Sequence, residues 1–161
     1  MRRGSGALRA CSLVLLMTAC PGSDVPEATG QPPNATSQLT PRSLREARDL
    51  WRSKGSSSYS FRLRSFCGER GGIGTFAVTV RDGVVRAVEP LDDRTVPPDR
   101  NEIPTIDGLF AIADRARRDG ADRVATRFDQ NDGHPIAIDI DHRLQVVDDE
   151  ACYRVSRLRP V

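Results

Sequence analysis

The sequence has one tryptophan, two tyrosines and two histidines. It lacks a Gly-x-Ser-x-Gly elbow, a P-loop and a dinucleotide fingerprint, so the enzyme classes carried by those motifs are excluded. His134 and His142 do not have the two-histidine spacing of a zinc site. Lysine is nearly missing. Lys54 is the only one, so 23 of the 24 basic residues are arginine. A GC-rich genome produces that bias from codons alone, and composition therefore carries no anion-binding signature. No apolar run reaches the roughly 20 residues of a mature membrane span. A length of 161 residues suits one domain.

The amino terminus reads as an address. Arg2, Arg3 and Arg9 precede the apolar run Ala10 to Met17. Its length fits a secretory signal, for which about 7–15 apolar residues are usual. Met17-Thr18-Ala19-Cys20 resembles the bacterial lipobox, an aliphatic residue and two small residues before cysteine. The expectation is a signal peptide over residues 1–19, cleavage after Ala19 and a lipid on Cys20. Two or three acyl chains anchor stably, whereas one binds only marginally. The membrane, reached through that lipid, is then the first partner. Cleavage would remove three arginines and no acid, leaving 21 basic against 22 acidic side chains. A near-neutral chain has no charge excess to drive nucleic-acid binding.

Residues 20–39 form the expected tether. The stretch Pro21 to Gln38 has four prolines, two serines and no aromatic residue, too little apolar surface to offset its ordering entropy. A single domain is expected over residues 40–161. Thr40 can cap a helix with Pro41 at its first position, and Ser43 with Glu46 offers a capping box one turn later. Leu44, Ala47, Leu50 and Trp51 share a helical face. The period then changes to two. Tyr59, Phe61 and Leu63 alternate with polar residues, as do Phe76, Val78 and Val80. Asp82-Gly83 is a two-residue hairpin signal leading into a strand over Val84 to Val88. Thr105 can cap a second helix carrying Ile106, Leu109, Phe110, Ala113 and Ala116, which Gly120 ends. Strands follow at Val124 to Phe128 and Ile136 to Ile140. A last strand is expected from Leu144 towards Leu158, bent at Asp148-Asp149.

The two stretches share a register. Val78, Val80 and Val84 superpose on Ile138, Ile140 and Leu144 at an offset of 60. The expected fold is α+β: two α-β-β-β halves forming a twisted antiparallel sheet with both helices on one face.

At this point the chain resembles a domain-of-unknown-function family found in bacterial lipoproteins, especially from GC-rich genomes. The resemblance rests on Trp51, Tyr59 and Cys67, then Val78-Thr79-Val80-Arg81-Asp82-Gly83-Val84 and Thr105-Ile106-Asp107-Gly108-Leu109-Phe110. Its most specific blocks are Arg127-Phe128-Asp129, Gly133-His134-Pro135, Ile138, Asp141 and Asp148-Asp149-Glu150. It covers about residues 40–160. A second cysteine soon after the first is common in the family, whereas here Gly68 and Glu69 follow Cys67. The resemblance implies no established activity, cofactor or catalytic residue.

Cys67 and Cys152 are the thiols left once Cys11 is discarded and Cys20 acylated. An exporting compartment favours oxidation, and a bridge would stabilise by about 4–5 kcal/mol in the chain-entropy model. Strand parity opposes it, because Cys67 shares the parity of the core-facing residues and Cys152 does not share that of Val155. A bulge, or a loop starting after Phe66, would reconcile them. A disulfide is the preferred reading, with free thiols second and a catalytic thiol third. Asp129 to Gly133 resembles a calcium loop, but its glycine is fifth rather than sixth, so a turn is the simpler reading. Asp139, Asp141, Asp148, Asp149 and Glu150 read as a solvated acidic edge before they read as a carboxylate pair. Trp51 and Tyr59 read as core anchors. No catalytic residue, metal site or cofactor is expected.

The expected function is a non-enzymatic binding or scaffolding module, exported and lipid-anchored in the cell envelope, with an envelope protein as further partner. The alternatives are a carboxylate-dependent hydrolase of envelope carbohydrate and a secreted protein-inhibitor-like domain.

Overall fold

The computed structural model describes residues 43–67, 73–92 and 98–161. Helix α1 spans Leu44–Lys54, followed by strands β1 (Tyr59–Ser65), β2 (Gly74–Arg81) and β3 (Val84–Pro90). A short 3-10 turn at Arg100–Glu102 precedes helix α2 (Ile106–Arg118). Strands β4 (Arg123–Phe128), β5 (Pro135–Asp141) and β6 (Glu150–Pro160) complete the chain. Every pairing is antiparallel, and the strand order is β3-β2-β1-β6-β5-β4. The fold is therefore α+β, with two helices and a six-stranded antiparallel sheet.

Both helices begin where a side chain can satisfy free backbone donors. The Ser43 hydroxyl accepts from the Glu46 N–H at 3.1 Å, and the Glu46 carboxylate accepts from the Ser43 N–H at 3.2 Å. This is the later of the two expected starts; Thr40 and Pro41 lie outside the described residues. The Thr105 hydroxyl accepts from the Gly108 N–H at 3.0 Å and starts α2. Three arginines in its last turn face the negative end of the helix.

One core joins these elements. Leu44, Ala47 and Trp51 of α1 meet Ile106, Leu109 and Phe110 of α2 over the buried positions of the sheet, among them Leu63, Phe76, Val78 and Ile138. Burying a side chain of that size stabilises by roughly 1.5–3 kcal/mol. The alternation read from the sequence holds in β1, where Tyr59, Phe61 and Leu63 are buried, and in β2 at Phe76, Val78 and Val80. Between the helices Arg48 pairs with Asp114 at 3.0 Å, and within α2 Arg118 contacts the same carboxylate at 3.4 Å. Burial acts to raise the Asp114 pKa, but its hydrogen bonds and attraction to Arg48 and Arg118 outweigh that and lower it.

The last strand differs from expectation. Leu144 to Asp149 is not strand, and β6 starts at Glu150. Leu144 is 65% exposed and Val147 82%, so their apolar character marks no inward face. The segment is a chain of turns. Val146 N–H donates to the Arg143 carbonyl, Leu144 N–H donates to Asp122, and Asp148 has a φ of 74°.

Candidate functional site

Alternation puts a second set of side chains on the sheet face away from the core. In register, Arg64 lies opposite Arg154, Cys152 opposite Asp139, and Glu150 opposite Asp141. Cys67 and Cys152 form a disulfide with 5.4 Å between their Cα atoms. The parity conflict disappears because β1 ends at Ser65. Cys67 lies beyond the ladder, where the chain is free to turn towards β6.

The bridge forms part of a hollow of about 530 Å³. Phe66 lines it between two guanidinium groups, Arg64 at 4.8 Å and Arg154 at 4.9 Å from the ring centre. Such cation–π contacts orient the cations over the ring. Arg154 also pairs with Asp139 at 2.8 Å and donates to the Tyr153 carbonyl at 2.9 Å. Asp141, Asp148 and Glu150 complete an acidic wall, with Arg123 across from it. One carboxylate oxygen of Asp141 is shielded from solvent and has no hydrogen-bond partner among the described residues. Four of the five acids noted in the sequence thus share this hollow. Asp149 does not; it turns to Arg143 at 3.3 Å.

Phe66 and Arg154 were not singled out from sequence. The run Arg62, Arg64, Phe66 at outward parity was a visible signal, but nothing in it names Arg154, which arrives from a strand some ninety residues away.

Asp129, Asp132 and His134 bring three ligand-type atoms within 4.8 Å of one another. Their hydrogen bonds build a turn. One Asp129 oxygen accepts from the N–H groups of Asn131 and Asp132 at 2.7 and 3.3 Å. One Asp132 oxygen accepts from the His134 N–H at 3.0 Å and faces His134 Nδ1 at 2.5 Å. Burial works to raise the Asp132 pKa, but the bonds to His134 prevail and lower it. The His134 ring is buried edge-on to Trp51, with centroids 6.5 Å apart. These bonds make the turn expected from the sequence, and Gly133 within it lies close against Ala47 and Leu50 of α1.

Trp51 and Tyr59 are core residues, 4% and 2% exposed, packed edge to face at 5.4 Å. Burial pushes the Tyr59 phenol up to about 12, partly offset by its hydrogen bond to the backbone at Ile106. His142 lies in the turn after β5. Cys20 lies outside the described residues, as does most of the Gly-rich segment between β1 and β2.

Comparison with curated proteins and with solved structures returns no match. The model of the family of unknown function DUF6174 matches residues 43–160. That range runs from the capping serine of α1 to the last residue of β6, and the chain belongs to this family.

Proposed function

We propose that the protein is an exported, lipid-anchored envelope module that binds a partner protein through the hollow beside its disulfide, without catalysis. The observation that carries this reading is the hollow itself, where Phe66, held between Arg64 and Arg154, lies beside an acidic wall. Aromatic and arginine side chains supply most of the binding energy at protein interfaces, and mixed charge around them selects the partner. The disulfide supports the exported location. In this reading residues 1–19 are a signal peptide, Cys20 carries the lipid and residues 20–39 tether a single domain over 40–161. Anchor and tether confine that domain to a thin layer and raise its effective concentration for partners there. The domain reads as a tandem of two α-β-β-β units, a reading supported by the element order and by Val78 and Val80 of β2 matching Ile138 and Ile140 of β5, although Leu144, the counterpart of Val84, lies in a turn.

A photo-crosslinking phenylalanine derivative at position 66, expressed in cells, should capture an envelope protein, and Arg154→Ala should abolish the adduct. The control is the same group at Arg45, an exposed position on α1. Adducts from position 45 and none from 66 would reject the site. Fatty-acid labelling should vanish in Cys20→Ala.

The acidic wall supports a second reading, a hydrolase of envelope carbohydrate using Asp148 and Glu150. Its test is a glycan-hydrolysis screen with Asp148→Asn and Glu150→Gln. Turnover lost in those variants, with folding intact, would replace the binding reading.

A further inference from the structure

Composition made the arginines uninformative, but their placement in the fold is specific. On a different part of the sheet, where β1 lies between β2 and β6, a groove of about 320 Å³ is lined by Arg62, Arg157 and Arg159, with Ser60, Thr79 and Glu89. It shares no residue with the hollow beside the disulfide. Three observations point to a ligand.

First, the three cations have no ion-pair partner among the described residues. The ion pairs among the described residues use Arg48, Arg118, Arg143, Arg154 and His134, and none uses Arg62, Arg157 or Arg159. Among the described residues that line it, three arginines stand against the single carboxylate of Glu89, a surplus of two positive charges. Second, the Nε–H of Arg62 is shielded from solvent and meets no acceptor among the described residues. A buried guanidinium donor without a partner is costly, and a turn of the half-buried Arg62 side chain towards an oxyanion in the groove would satisfy it. Third, the backbone is bent at this spot. The β1–β6 register shifts between Ser60 and Arg62, and Arg157 on β6 has a φ of 56°. A non-glycine residue there is strained. The bulge adds a residue to β6 and so changes which face of the sheet Arg157 reaches. Arg159 is already oriented, its Nε donating to Ser60 Oγ at 3.2 Å.

We propose that this groove binds a phosphate monoester. Guanidinium forks match phosphate oxygens in pairs, and the surplus of two charges matches a phosphate dianion better than a carboxylate monoanion. The hydroxyls of Ser60 and Thr79 provide further donors. The group could be carried by a soluble metabolite or by a lipid headgroup, and the two sources are separable.

The test is an NMR titration of the full chain with glycerol phosphate, and with acetate at matched ionic strength, alongside sedimentation with neutral vesicles and vesicles containing phosphatidic acid. Glycerol phosphate should shift the amides of Ser60 to Arg62 and Arg157 to Arg159, with acetate at least tenfold weaker. Arg62→Gln should weaken binding at least tenfold, and Arg62→Lys less. Arg157→Gly serves where Arg62→Gln fails to fold, since glycine accepts the positive backbone angle at this position while removing the side chain that carries the guanidinium. It too should weaken binding. Saturable binding of glycerol phosphate identifies a soluble source. Retention on phosphatidic acid vesicles alone, lost in the same variants, identifies a headgroup. An equal response to acetate, or no response to either phosphate, overturns the proposal.

Discussion

The phenolic oxygen of Tyr59 accepts the backbone N–H of Ile106 at 3.0 Å. Ile106 is the first residue of α2, and its N–H has no partner within the helix. A side chain at the start of β1 therefore completes the start of a helix 47 residues later. Asp107, next in the helix, also accepts from the Trp51 indole at 3.4 Å. The beginnings of β1 and α2 and the last turns of α1 are thus held together by polar contacts at the margin of an otherwise apolar core.

Replacing Tyr59 by phenylalanine leaves that buried N–H without an acceptor. We expect a loss of about 1–3 kcal/mol in denaturant unfolding. The phenol also gives a pH signature. Its folded pKa of about 12 lies above the ordinary 10, so its contribution is complete below about pH 10 and is lost as pH rises through 12. Burial raises Tyr153 as well, and these are the only two tyrosines. Phenolate absorbance of the native protein should therefore develop above pH 10 and return to the ordinary midpoint in denaturant. An ordinary midpoint in the native state would refute the buried phenol.

Gly133 and Gly83 both have positive φ, 80° and 74°, yet their surroundings differ. A Cβ on Gly133 would collide with the Ala47 carbonyl of α1 and sit 3.0 Å from Leu50 Cβ. A Cβ on Gly83 would meet nothing. Gly83→Ala should cost only the left-handed backbone penalty, about 1–2 kcal/mol. Gly133→Ala should cost about 2–5 kcal/mol, because crowding adds about 1–3 kcal/mol to that backbone penalty. Equal losses in urea unfolding would show that the loop does not seat on α1.

The Asp132–His134 contact should be visible in acid. The folded pKa of Asp132 is lowered, so the stability it contributes is present above the unfolded carboxyl value of about 4 and is lost as pH falls through the folded value. Asp132→Asn should lose about 1.5–3 kcal/mol at neutral pH, the range for hydrogen bonds to a charged group. That deficit should shrink below about pH 4. A deficit independent of pH would mean that charge has no part in it.

Reduction should weaken the fold strongly. The Cys67–Cys152 bridge spans 85 residues, and the variant with both cysteines changed to serine should be about 4–5 kcal/mol less stable in the chain-entropy model. Peptide mass spectrometry without reduction should recover the linked pair. Two thiols that alkylate freely in protein taken from cells would disprove the bridge.

The limits of the sequence reading show at particular residues. Leu144 and Val147 look like the start of a strand, yet they are exposed in a turn. Periodicity assumes that apolar residues face inward, and a turn segment anchored by backbone donors to Asp122 and Arg143 has no need of that. The acidic residues were legible as a cluster in the chain. That Asp149 leaves the cluster for Arg143, while Arg154 joins it, was not legible.

What the sequence determined by itself is local. Ser43 with Glu46, Thr105, Asp82-Gly83 and the alternating valines and isoleucines specify where helices start, where the hairpin turns and which side chains are buried. Each of those preferences acts within a few residues, so it can be read in order along the chain. What only the tertiary structure decided is the placement of β6 beside β1. That pairing turns Cys67 and Cys152 into neighbours, sets Phe66 between Arg64 and Arg154, and brings Arg62 to Arg157 and Arg159. Strands far apart in sequence pair through the summed energy of a shared core and ladder, and no dihedral preference of either strand names its partner.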